Sequence, residues 1–219
     1  MAPGPILEAL FMNHAVEDGI RVNFESVGGV DAAKRVSDGQ PYDLVVLSAK
    51  AIDSLASNGH VIEETRIQFA RSSVAIAVAS GTGAPDISSE DKLRQTLIDA
   101  TSIGYSTGPS GVALLRQLET WGIKDQVKDK LRQTSPGIPV GDLITSGEAV
   151  IGFQQLSELM HMSGIDVIGP MPPGCEIDTT FAGAVCRTSS ALDAASRALA
   201  VLSSPVVAQI IQNNGMTTA

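Results

Sequence analysis

The sequence predicts an α/β fold, and two observations carry the prediction. Strand-like and amphipathic helix-like segments alternate along most of the 219 residues, the arrangement that gives parallel sheets covered by helices. The runs DLVVLSA (43–49) and SVAIAVAS (73–80) are continuously apolar, as strands buried on both faces are.

The elements follow in order. Residues 5–17 read as a helix, with Ile6, Leu7, Leu10, Phe11 and His14 on one face and Gly19 as its stop. Residues 20–27 alternate as a strand, Val22 and Phe24 sharing a side. A short helix at 30–37 leads to the strand at 43–49, a helix at 51–57 and a turn at Asn58-Gly59. The strand at 73–80 precedes a helix at 89–100, for which Ser88 is the expected cap and Asp91 completes a capping box. SIGYS (102–106) is a strand. The helix at 111–120 is expected to turn Val112, Leu115 and Leu118 inward, and another helix covers 125–132. PVGDLITSGE (139–148) is short and helical, AVIGFQQ (149–155) and DVIGP (166–170) are strands, and TFAGAVC (180–186) is the last strand. Helices at 190–202 and 205–213 close the sequence, ended by Gly215. No internal repeat or linker interrupts the order.

Composition removes several classes of function. A net charge of −9 and a pI near 4.7 argue against a general nucleic-acid surface, which needs clustered Lys and Arg. No apolar run approaches the roughly 20 residues that span a bilayer, so no membrane insertion is expected. No leader of the usual pattern is visible in MAPGPILEAL. Cys175 and Cys186 read as two small buried thiols. No C-x-x-C or histidine pair has ligand spacing, so neither a metal nor another cofactor is expected.

GYSTG (104–108) fits two chemistries. It matches the G-x-S-x-G of a hydrolase nucleophile elbow, and Asp142 and His161 follow in the order Ser, Asp, His. However, Thr107-Gly108-Pro109 separate Ser106 from any helix, and Pro109 biases Gly108 away from helical geometry. His161, in ELMHMSG, suits a helix end better than a catalytic loop. The second chemistry is an anion cradle. A helix beginning at Ser110 or Gly111 leaves its first amides unpaired, Ser106, Thr107 and Ser110 add hydroxyls, and Gly111 permits close approach. The loop also lies at the C-terminal edge of a strand, where open α/β sheets bind ligands. The cradle uses more of these residues.

The order of motifs resembles a known family. ESVGGVDAAKRVSDGQPYDLVVLSAKAIDSLASNGHV (25–61), FARSSVAIAVASGTGAPDISSEDKLRQ (69–95), YSTGPSGVALL (105–115), GEAVIGFQQLSEL (147–159), IGPMPPG (168–174) and SSPVVAQIIQNNGM (203–216) together are similar to type II periplasmic substrate-binding proteins. Among these, the molybdate-binding-protein-like receptors of ABC uptake systems are the nearest in pattern. The resemblance implies two α/β lobes joined by two crossing strands, with the ligand clasped in the cleft. Here lobe 1 would be 1–77 plus 184–219, and lobe 2 would be 78–183. Members carry a strand and a hydroxyl-bearing ligand loop ahead of the first helix. Pro3 and Gly4 would be the remnant of that loop, with the natural N-terminus and any secretion signal upstream of Met1.

The expected ligand-binding residues are therefore Pro3, Ser48, Arg71, Ser106, Thr107, Ser110, Gly111, Gln154, Gln155 and Thr180. The resemblance gives Ser48 a hydroxyl contact to the anion; by itself it reads as a helix cap. Arg71 inside the cleft would pair with a carboxylate. Gln154 and Gln155 end a strand and open a helix, and Thr180 closes the far side. The expected function is binding of a small anion, oxyanion or organic carboxylate, as a monomeric periplasmic receptor with an ABC permease as partner and no catalytic residue. Without a signal, the location is cytoplasmic. The alternative is an isomerase of a small polycarboxylate on the same scaffold, for which Lys50 or His60 is the nearest candidate base. A ligand-sensing regulator is a third reading, but no DNA-binding element accompanies it.

Overall fold

A computed structural model describes residues 2–13 and 20–219, with only the backbone of residues 12 and 13. In chain order the described elements begin with α1 (Gly4–Asn13), α2 (Gly29–Ser37), β1 (Leu44–Ser48), α3 (Ala49–Ser57), β2 (Ile67–Ala79) and α4 (Glu90–Asp99). They continue with β3 (Ile103–Tyr105), α5 (Pro109–Thr120), α6 (Lys124–Val127), β4 (Leu131–Gln133), α7 (Val140–Thr145) and β5 (Ile151–Gln155). The last are α8 (Leu156–Leu159), β6 (Ile165–Pro170), β7 (Asp178–Val185), α9 (Leu192–Ala200), α10 (Pro205–Asn213) and β8 (Thr217–Thr218). The chain forms two compact units, Met1–Ser72 with Thr179–Ala219, and Ser73–Asp178. Both changeovers lie N-terminal to the expected 77/78 and 183/184.

In the first unit, β1 runs antiparallel to β7, with Leu44 opposite Val185 and Ser48 opposite Phe181. β7 neighbours β2, and β2 pairs β8 at Arg71 and Thr217. The two-residue period of a strand explains the continuous apolar run of β1. Val45 and Leu47 pack with Val36, Ile52 and Leu55 of α2 and α3. Leu44 and Val46 face the cluster of Ile6, Leu10, Leu199 and Ile211 from α1, α9 and α10.

Residues 21–27 do not form the expected strand. They run irregularly and, with Leu7, Phe11, Val46 and Ala195, line a cavity of about 520 Å³. Apolar alternation makes a strand only where a neighbouring backbone accepts it. No described strand pairs with this segment, and Phe24 stays 37% exposed. His14 and the rest of 14–19 lie outside the described residues.

In the second unit the strand order is β6-β2-β5-β3-β4. β3 is parallel to β4 and β5, whereas β2 is antiparallel to β5 and β6. One face packs Ile76, Ile103 and Phe153 against Leu93, Leu97, Leu114 and Leu118 of α4 and α5. The other packs Ala75 and Ala77 with Val140 and Ile144 of α7. Gly104 and Gly152 let α7 approach: a Cβ at either would lie 3.0 or 2.6 Å from Val140 Cγ1.

Several boundaries differ from the expectation. β2 begins at Ile67 rather than 73, because IQFARSS is only half-buried and has no apolar run to announce it. The helix expected at 125–132 is α6, a 3-10 turn at Lys128–Lys130 and then β4; so short a strand carries no period of its own. β8, after α10, displaces 180–186 as the last strand. Ser89, not Ser88, caps α4 by accepting from Lys92 N, since Ser88 bonds Asp86 instead. Val112 is 47% exposed; the buried stripe of α5 is Ser110, Gly111, Leu114 and Leu118.

Candidate functional site

The turn between β3 and α5 is set by local sequence. Gly108 is extended (φ −81°, ψ −172°) and Pro109 occupies the first helical position, where its missing N–H is no loss. Helical bonding starts with Val112 N donating to Gly108 O at 3.2 Å, so the amides of Ser110 and Gly111 precede the ladder. Ser106 and Ser110, 8% and 3% exposed, place their hydroxyl oxygens 2.9 Å apart. Gly108 N donates to Ser106 Oγ at 3.3 Å. A Cβ on Gly111 would lie 1.8 Å from Ser106 O, so only glycine allows the helix to start against this loop. Thr107 is half-buried on the same turn. Ser106, Thr107, Ser110 and Gly111 thus form one cluster of hydroxyls and amides with the positive end of a twelve-residue helix behind it. Among the described residues the partners of Ser106 are Ser110 Oγ and Gly108 N, neither of them a base.

Gln154 stands on the neighbouring strand with both ends of its side chain engaged. Its Oε1 accepts from Val140 N at 2.6 Å, capping α7, and its Nε2 donates to Glu158 Oε2 at 3.0 Å. Burial pushes the Glu158 carboxyl above its ordinary value, and the Gln154 bond opposes that shift. Gln155 is 3% exposed at the junction of β5 and α8.

The remaining expected residues belong to the first unit. Ser48 ends β1 and caps α3, its Oγ accepting from Ala51 N at 3.4 Å. Because Ser48 pairs with Phe181, Thr180 comes next to it at the same end of the sheet. Arg71 is exposed on β2, opposite Thr217, and forms no ion pair among the described residues. Pro3 is buried, and its carbonyl accepts from Leu7 N as α1 begins. Lys50 is exposed in the first turn of α3, and His60 is half-buried beyond its end.

Sequence reasoning passed over Thr134. It is 4% exposed, follows β4 directly, and donates its N–H to Tyr105 O at 3.0 Å. Its Oγ1 has no hydrogen-bond partner. The residue falls just beyond a segment read as helix; recognising β4 as a strand would have drawn attention to its end.

Among the described residues no group of three His, Cys, Asp or Glu is placed to hold a metal, and no single helix is long and apolar enough to cross a membrane. Cys175 and Cys186 are buried and free. Burial pushes the Cys186 thiol up to about 12, and it raises Cys175 as well.

By sequence, the chain is 36% identical over 182 residues to aconitate isomerase of a Pseudomonas species, covering 83% of this chain and 70% of that protein. By structure, it matches the periplasmic molybdate-binding protein of Azotobacter vinelandii with a TM-score of 0.78 at 17% identity, over 97% of this chain and 94% of the other. It matches the sulfate-binding protein SubI from Mycobacterium tuberculosis H37Rv with a TM-score of 0.76 at 17% identity, over 98% and 83%. These neighbours are two-lobed α/β proteins of the type II periplasmic-binding fold, and this chain shares that fold. The profile described as "Bacterial extracellular solute-binding protein" matches residues 1–217, and the chain belongs to that family.

Proposed function

We propose that this protein is a receptor for a small organic polyanion of the di- or tricarboxylate class, acting outside the cytoplasmic membrane and delivering its ligand to an ABC-type permease. The observation that carries the reading is the cluster of Ser106, Thr107, Ser110 and the leading amides of α5. It consists of neutral donors around a helix N-terminus, which suits reversible capture of negative charge and no covalent chemistry. Membership of a solute-binding family supports capture. The relative named aconitate isomerase supports a polycarboxylate over an inorganic oxyanion. In the first unit, Ser48 and Thr180 are also proposed as anion donors, and Arg71 as a cation for a carboxylate. We take the receptor to be a monomer.

A thermal-shift panel of molybdate, sulfate, citrate, cis- and trans-aconitate, succinate and phosphoenolpyruvate tests this. A ligand at a hundredfold excess over its Kd stabilises the fold by about 2.7 kcal/mol. The expected result is a clear rise in Tm with one or more carboxylates, lost in Ser106→Ala. No rise with any anion overturns the reading.

A second reading, favoured by the name of the same relative, is isomerisation of the bound polycarboxylate. That requires a group to remove a proton from one carbon and return it to another. Lys50, two residues beyond Ser48, and His60 are the candidates. Proton NMR of cis-aconitate with the protein in deuterium oxide distinguishes the readings: trans product carrying solvent deuterium favours the enzyme, and unchanged substrate despite saturation favours the receptor.

A further inference from the structure

Three polar residues stand in register at the C-terminal end of the second unit's sheet. Tyr105 pairs with Gln133 on one side and Phe153 on the other. One residue further on, Ser106 therefore falls between Thr134 and Gln154. The bond from Thr134 N to Tyr105 O carries the β3–β4 pairing to that point. Ser106 and Thr134 are the first residues past the ends of β3 and β4, so the Thr134 side chain starts beside the cradle loop. All three residues are at least nine-tenths buried, at 4%, 8% and 5% exposure for Thr134, Ser106 and Gln154.

Two members of the row have their hydrogen bonds. Gln154 spans Val140 N and Glu158. Ser106 meets Ser110 Oγ and Gly108 N, which makes the middle of the row part of the cradle itself. Thr134 Oγ1 alone is left without a partner. A buried hydroxyl kept dry and unpaired costs stability that a valine of the same shape would not. Such an atom is explained when something absent from the free protein uses it.

We propose that Thr134 is a ligand-contacting residue of this site, its Oγ1–H donating to an oxygen of an anion seated in the Ser106–Gly111 cradle. The inference rests on the anion-binding reading and adds a donor to it. It also gives the second unit a point of discrimination, because a ligand without an acceptor at that position leaves the hydroxyl unpaired in the complex.

The test compares Thr134→Val, Thr134→Ser and Ser106→Ala by calorimetric titration with trans-aconitate, citrate and sulfate, alongside the melting temperature of each ligand-free variant. A hydrogen bond to a charged partner sets the expected loss: Thr134→Val weakens the best of these probes by about ten- to a hundredfold. Thr134→Ser stays within about threefold of the parent, and ligand-free Thr134→Val melts at or above the parent temperature. If valine prevents folding, Thr134→Ala against Thr134→Ser gives the same comparison. Thr134→Val binding like the parent while Ser106→Ala is weakened overturns this inference alone. A parent protein that binds none of these probes, and no other anion of the thermal-shift panel, overturns the anion reading and this inference with it.

Discussion

The carbonyl oxygen of Ser106 points at Gly111 so closely that a methyl group there would lie 1.8 Å away. The contact is with backbone, so no side chain can swing aside to relieve it. Gly111→Ala must push α5 off the loop, and the expected cost is about 3 kcal/mol. Chemical denaturation measures the loss, and anion binding should fall with it. A near-neutral Gly111→Ala would mean that the loop and helix are not joined as described.

Ser106→Ala removes the hydroxyl that Gly108 N and Ser110 Oγ share. The loss in stability should be about 1 kcal/mol, the net worth of an ordinary hydrogen bond. The loss in anion affinity should be larger, since bonds to charged partners are stronger. Parallel urea melts and titrations separate the two effects.

Gln154→Leu keeps the volume of a buried side chain but deprives Val140 N of its acceptor and Glu158 of its amide. The expected destabilisation is about 2 kcal/mol, mostly the penalty of a buried unpaired donor. Hydrogen exchange should show it first as faster exchange in the leading turn of α7. Unchanged exchange there would exclude Gln154 as the cap.

Two carboxyls respond to pH with opposite sign. Burial raises Glu158, so the folded protein holds that proton more tightly than the unfolded chain. This stabilisation is complete below the unfolded value of about 4.3 and is lost as pH rises through the higher folded value. Asp166 is lowered, first by Ser80 Oγ and then by Gly81 N, at 2.8 and 3.1 Å. Its stabilisation is present above the unfolded value of about 3.9 and is lost as pH falls. Melting curves across this range should show Glu158→Gln flattening the decline on the alkaline side and Asp166→Asn flattening the one on the acid side.

What the sequence made legible depended on whether an element carried its own signal. β1 was visible because Leu44, Val45, Val46 and Leu47 supply both faces of a buried strand, and the structure uses all four that way. Residues 20–27 have the alternation of a strand, but pairing is decided by neighbours that periodicity does not report. β4 failed for the converse reason: at three residues with Arg132 and Gln133 exposed, it exists only because β3 lies beside it. The loop from Ser106 to Gly111 was readable because Gly, Pro and Ser restrict the backbone locally. Thr134 was not, since a threonine after a charged stretch has no distinguishing pattern until the register sets it next to Ser106. Arg94 and Trp121, 27 residues apart and joined by an Arg94 Nη2 to Trp121 O bond at 3.4 Å, were equally invisible as a pair.

The placement of the two thiols makes the molecule its own reporter of local opening. Cys186 belongs to one compact unit and Cys175 to the other, and each is sealed from reagent in the native state. Trapping with an alkylating agent, read by peptide mass, therefore times the opening of each half on its own clock. If bound anion slows modification of Cys175 and Cys186 together, capture steadies both halves; if it protects Cys175 alone, the cradle's half is the only one that tightens.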